Sequence, residues 1–458
     1  MKKVIPFIMS LAIVGSCCML NNTVNDRCSA ITAVNIVEQG TYEVDENTSF
    51  EYKVTENDDT YVGRYTGTAK EVVIPSEING RKVTGISGNA FYNRADVTSV
   101  TIPDGIKSIA MSAFEKCTGL TSITIPNGVE GISHSLFMDC TNLKSVTLPD
   151  SIKYIDYEAF KNCTALESIN FPDSIEYVMY DAFENTKWYD DQPDGMIILG
   201  KTVFKYKGTM PENTDVVIPD GIKCISGKAF AGCTGMTSVT IPDSVDLIEN
   251  SAFSGCSGLT SVTIPDSVLE MGHYIFEDCT GLTSVKLPEG IKYFAYGTFK
   301  GCTGLTSVTI PDSFLAVGLQ TFEGCTGLTS ITIPNNVTDI LDDAFKDCTN
   351  LTKIVIPKSV TYIHESVFSG HNQNLTIYGY KGTEAEKHAN DNNIKFVDLD
   401  AETTQQTTIT TAKATTTTKA ATAKSNSPQT GDKGSAGLIT AGLAASVLAF
   451  VSFKKRTK

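Results

Sequence analysis

The chain has 458 residues, 41% of them hydrophobic, and a formal net charge of −15. That acidity leaves no basic stripe to follow a phosphate backbone, which argues against nucleic acid as a partner and against a direct grip on an anionic membrane surface. Length alone allows two or three ordinary domains, but internal repetition has to be sought before domains are counted.

The first twenty residues, MKKVIPFIMSLAIVGSCCML, place two lysines before a short apolar run. This is the pattern of a secretory signal peptide, with cleavage expected after Ala30 and residues 1–30 removed. The run VGSC at 14–17 also resembles a bacterial lipoprotein cleavage box, which would leave a lipidated Cys17. Either route exports the protein. Residues 31–70 then form an N-terminal region and opening coil.

From there one phrase recurs. Phenylalanine appears every 23 residues from Phe91 to Phe183 and again from Phe230 to Phe368, and proline keeps the same step from Pro103 to Pro172 and from Pro219 to Pro357. A fixed period of this length marks a solenoid. Within one unit, Leu120, Ile123 and Ile125 alternate with polar residues as a half-buried strand does, and Pro126 ends the ladder by removing a donor. Turn residues follow, then the apolar pair Val129 and Ile132, then Ala-Phe-x-x-Cys, read as a short helical turn with Phe and Cys on one face. A lone unit buries too few side chains to offset the entropy of ordering 23 residues, so stacking is the fold.

Nine cysteines, from Cys117 to Cys348, sit three residues after a repeat Phe. Side chains in one column point in parallel, a poor geometry for bridging, so they are expected to be free and buried. The column is broken at Arg94, Thr186 and His371, in the first coil, the coil before an interruption, and the last coil. Pro172 and Pro219 lie 47 residues apart, twice the period plus one. Between them a hairpin is expected, with strands at 196–199 and 202–207 around Gly200 and Lys201, protruding in place of a coil.

The phrase LTSVTIPDSV…AFxGCTG resembles the BspA-type leucine-rich repeat of bacterial surface proteins over about residues 50–397. The resemblance implies a leucine-rich-repeat horseshoe or β-solenoid of about twelve 23-residue coils, with a parallel β-sheet on one face, short helical turns and one β-hairpin interruption. The expected organisation is a first repeat block at 71–183, the interruption at 184–217, a second block at 218–371 and a closing cap at 372–400. Proteins of this family are commonly adhesins or ligand binders.

Residues 401–426 are largely Thr, Ala and Lys, too simple to pack, and read as a stalk. SPQTGD follows, then an apolar run at 436–453 just long enough for a membrane helix, then KKRTK. Residues 427–458 resemble a Gram-positive cell-wall sorting signal, with Ser427, Pro428, Gln429, Thr430 and Gly431 as the motif. The resemblance implies that sortase cuts between Thr430 and Gly431 and joins Thr430 to peptidoglycan, the apolar run holding the precursor in the membrane until then. Ser427 stands where the family has Leu. A simple C-terminal membrane anchor is the alternative.

Five histidines are scattered without a metal-binding frame, and no nucleophile elbow or Gly-rich phosphate loop occurs. Neither an enzyme nor a metal or cofactor site is expected. Rows such as Ser122 and Thr124, Ser238 and Thr240, and Ser307 and Thr309 read as ordinary outward strand residues. The candidate ligand-binding residues are Tyr154, Tyr157, Tyr177, Tyr180, Trp188 and Tyr189, a group of rings expected to face solvent, as protein- and sugar-binding aromatics do. The competing reading is that these rings shield coil edges and the hairpin base, Trp188 above all. The sequence thus points to a wall-anchored surface protein that binds an unknown host or neighbouring-cell protein or glycan. The alternatives are a passive spacer and a polysaccharide-binding scaffold that assists surface enzymes.

Overall fold

In the computed structural model, which describes residues 42–45 and 47–401, most repeat units make one coil carrying two short strands. The first follows the Leu-x-x-Ile-x-Ile pattern: Ser122–Thr124 pairs in parallel with Ser145–Thr147, Ile123 opposite Val146. The second, at the Val-x-x-Ile pair, was not legible as a strand. Gly131–Ile132 pairs with Tyr154–Ile155, which pairs in turn with Tyr177–Val178. Register equals one repeat in both columns, so each buried residue lies on its own counterpart and a slip would turn the apolar set outward.

The Phe column is the spine of the core. Neighbouring rings from Phe91 to Phe183 and from Phe230 to Phe368 stack with centroids 5.1–5.8 Å apart and planes within 15°. Beside them the repeat cysteines are free and buried. Eight of these thiols donate to the carbonyl of the Phe 26 residues earlier, at 3.0–3.1 Å, as Cys279 does to Phe253. Where the column is broken, the replacement is again a donor. Arg94 Nη1 donates to Tyr65 O at 2.8 Å, Thr186 Oγ1 to Phe183 O at 2.8 Å, and His371 Nδ1 lies 2.9 Å from Phe368 O.

The expected helical turn after each Phe is a tight turn instead. Cys279 N–H bonds Phe276 O at 3.2 Å, but the residue between them that would extend a helix has left-handed backbone: Asp139, Asn162, Asp278 and Asp347 at φ 57–62°, and glycine at Gly232, Gly255, Gly301 and Gly324. That explains the Gly, Asn and Asp in this column, residues for which positive φ costs least. Lys116, at φ 62°, is the exception.

The stack is closed at both described ends. Antiparallel strands Glu43–Asp45, Phe50–Val54 and Thr60–Tyr65 bring Phe50 and Tyr65 against Phe91. At the far end Thr376–Gly379 and Lys395–Asp398 extend the first strand column, and the helix Glu384–Asp391 lays His388 edge-on against Phe368. The hairpin, Gly195–Leu199 with Thr202–Lys207, does not simply protrude as expected. Its second strand pairs in parallel with Cys224–Ile225 and so fills one position of the second strand column. Ser307 and Thr309 are exposed as expected, but they lie outside any strand. There Phe294 and Phe314 occupy Ile and Val positions and meet at 4.4 Å, bulk that accompanies the break in the ladder. Among the described residues no helix is long and apolar enough to cross a membrane; the span expected at 436–453, like the signal peptide and stalk, lies outside them.

Two substitutions test this account. Phe253→Ala, which opens a hole between two stacked rings, is expected to cost about 3–5 kcal/mol, read as a lowered urea midpoint. Asp278→Val is expected to cost about 1–2 kcal/mol more than Asp278→Gly, since only the former forces a β-branched residue into left-handed backbone.

Candidate functional site

The six candidate rings do not form a solvent-facing cluster; all are half-buried, and most are tied to the junction between the two repeat blocks. The hairpin leaves that junction without a full coil, and long side chains reach across. Tyr157 Oη donates to Glu249 Oε1 at 3.2 Å, and Tyr177 Oη lies 3.3 Å from both carboxylate oxygens of Asp246. Tyr180 lies flat against Gly227, where a Cβ would come within 2.6 Å of the ring, and Lys228 Nζ sits 4.9 Å from the ring centroid and 3.4 Å from Asp181. Glu176 receives Lys201 and, from the second block, Lys223, both at 2.9 Å. Burial pushes Glu176 up, but hydrogen bonds from the two lysines outweigh it and hold its carboxyl below the ordinary value.

Trp188 packs on Phe183 at 4.8 Å and Phe171 at 5.0 Å, plugging the core where the Phe column is interrupted. Its backbone N–H donates to Leu166 O at 2.6 Å. Tyr189 meets Phe204 edge-on, with Lys207 Nζ 5.6 Å from its ring. The feature sequence reasoning missed was the reach of these rings across the interruption. No local pattern signals it, because the acids that Tyr157 and Tyr177 meet, Glu249 and Asp246, lie 92 and 69 residues further along the chain.

The surface of the described residues also carries open hollows. One, of about 280 Å³, is lined by Lys107, Ser108, Glu130, Gly131 and Tyr154. Gly131 makes it: a Cβ there would stand 2.0 Å from the Tyr154 ring, which instead lies flat over the glycine. Burial, with Asp156 and Glu130 nearby, pushes the Tyr154 phenol up to about 12. The larger, about 590 Å³, is a shallow groove along the first strand column, lined by Ser238, Thr240, Asp243, Ser261, Thr263 and Lys286 among others. Its floor is the outward hydroxyl rows, repeating at the strand spacing and presenting hydrogen-bonding groups without deep enclosure. Among the described residues no group of three His, Cys, Asp or Glu side chains is placed to hold a metal ion. Burial pushes the Cys233 thiol up to about 11 and the Cys348 thiol up to about 12, which leaves both poor nucleophiles.

Comparison with protein families matches residues 84–210, 198–328 and 296–405 to the BspA type leucine rich repeat region. A second match, at 428–458, is to the LPXTG cell wall anchor motif. The chain belongs to the BspA-type leucine-rich-repeat family. It is an extracellular protein attached to the cell wall through its C-terminal motif. The anchor match begins at Pro428 and leaves out Ser427; the whole motif, 427–431, lies outside the described residues.

Among solved structures, a leucine rich cell surface protein of Faecalibacterium prausnitzii is 25% identical, covering 77% of this chain and 98% of that one, at a TM-score of 0.31. A leucine-rich repeat protein of Bacteroides ovatus is 27% identical, covering 79% and 100%, at a TM-score of 0.34. One of Eubacterium ventriosum is 20% identical, covering 72% and 94%, at 0.40. Superpositions this loose add nothing to the family match. No curated protein matches the chain.

The packing of Tyr154 is open to test. Gly131→Ala is expected to lift the ring from its neighbour and return the phenol from about 12 toward its ordinary value of 10.0, read as an earlier rise in tyrosinate absorbance against the parent protein.

Proposed function

We propose that the protein is a binding and adhesion protein of the cell surface, meeting a neighbouring-cell or host protein, or a glycan, through its outward strand face. The single observation that carries this reading is the groove of about 590 Å³ along Ser238, Thr240, Ser261, Thr263 and Lys286, an exposed polar track on a wall-attached chain. Hydroxyls spaced at one strand separation suit an extended partner with hydrogen-bonding groups along its length. Tyr154, with Lys107 and Glu130 beside it, adds a smaller aromatic-walled hollow in the first block. The passive spacer is the second reading. It is favoured by the engagement of Tyr157, Tyr177 and Tyr180 within the repeat junction, which withdraws them from a partner.

Capture of matrix proteins and of an arrayed glycan set by the wall-released protein separates the two. The binding reading expects a partner that is lost when Thr240 and Thr263 are both replaced by Lys, or when Tyr154 becomes Ala. Capture of nothing leaves the spacer, and capture unchanged in both variants removes the proposed surface. Glycan captured in place of protein assigns the scaffold role. Attachment itself rests on Thr430: Thr430→Ala is expected to move the protein from the murein fraction to membrane or medium, and unchanged murein attachment would refute its role as the joined residue.

A further inference from the structure

We propose that the joint between the two repeat blocks is proton-gated: Glu249 holds the blocks together while its carboxyl is protonated and loosens them when it ionises. Glu249 is only 4% exposed, and it is reached from the other block by the Tyr157 hydroxyl, a residue 92 positions earlier in the chain. Its second oxygen accepts the Gly227 N–H at 2.8 Å, and no lysine or arginine pairs with it among the described residues.

The titratable and charged groups packed around it come from both blocks. The first block supplies Asp156, 3% exposed and accepting the Tyr157 N–H at 2.7 Å, together with Tyr157, Tyr180 and, acting on Asp156, His134. The second supplies the buried Cys224 thiol and Asp246, while Lys228 is turned away toward Asp181. Burial pushes Asp156 up as well, its bond from Tyr157 N–H and the charge of His134 opposing. A second ionised carboxylate near a buried one is unfavourable, and Asp156 in the first block acts on Glu249 in the second in this way.

Burial, with Asp156 adding to it and the bonds from Gly227 and Tyr157 opposing, raises Glu249 to about 7 from an ordinary 4.5. A carboxyl raised on folding binds its proton more tightly in the closed joint than when exposed. Its contribution is therefore complete below the ordinary value and is lost as pH rises through about 7. The Tyr177 to Asp246 contact and the Lys223 to Glu176 pair do not depend on that proton, so the joint relaxes without the coils coming apart.

Trp188, the only tryptophan in the sequence, packs at this same interruption and reports on it. In the full chain, its fluorescence is expected to show a single transition with a midpoint near 7, accompanied by a fall in thermal midpoint over the same range. Glu249→Gln, a neutral mimic of the protonated form, is expected to abolish that transition. Tyr157→Phe, which removes a bond favouring the ionised form, is expected to raise the midpoint, and it decides the matter if the glutamine variant does not fold. A flat titration of the parent, a transition surviving Glu249→Gln, or a midpoint that Tyr157→Phe leaves unmoved or lowers would overturn the proposal. A transition removed by His134→Asn instead would assign it to the imidazole and overturn it equally.

Discussion

Everything in this protein depends on each coil finding its counterpart on the next, ring on ring and backbone on backbone. In the turn column the N–H of one coil reaches forward 22 residues, as Phe253 does to Ile275 O, while in the second strand column it reaches back 23, as Lys153 does to Glu130 O. No coil satisfies its own backbone. The thiol column adds a third tie, because eight of the Phe carbonyls take a turn N–H from their own coil and an S–H from the next, as Phe253 O does from Cys256 N–H and Cys279. Cysteine fits that place by being small, apolar and still a weak donor. Arg94, which replaces it in the opening coil, spans the same distance with a longer arm.

A stack of this kind is one-dimensional, so its weak points are where the repeat is broken. At the interruption the Phe column passes through Phe204 and Trp188, which meet Phe183 at steep angles, and the missing coil surface is bridged by tyrosines, lysines and acids. The residues best equipped by chemistry to bind a partner are those that this break requires for its own closure. What the surface leaves free is plainer: hydroxyl rows on the first strand column and a hollow under Tyr154. Such a surface presents shallow, repeated hydrogen-bonding groups rather than one deep pocket.

Much of this was legible in the sequence because a 23-residue period repeats its evidence a dozen times over. The core column, the free thiols and the first strand follow from periodicity and from the parallel aim of side chains in one column. The second strand was not legible, since two residues at Gly131–Ile132 carry no alternation of their own and become a strand only through their neighbours. The turn after each Phe was misread as helical because i to i+3 spacing is common to both; the Gly, Asn and Asp at the third position were the overlooked sign. The candidate rings were placed on the right coils but given the wrong surroundings. Solvent exposure of Tyr157 or Tyr177 depends on acids 92 and 69 residues away, and no local pattern encodes that distance.

Modification of the native, unreduced protein by a small thiol reagent across a denaturant series measures the continuity of the stack most directly. If the coils form one sealed spiral, the nine column cysteines stay silent in native buffer and become reactive together within each block as it unfolds. Rapid labelling of those positions before any unfolding would contradict it.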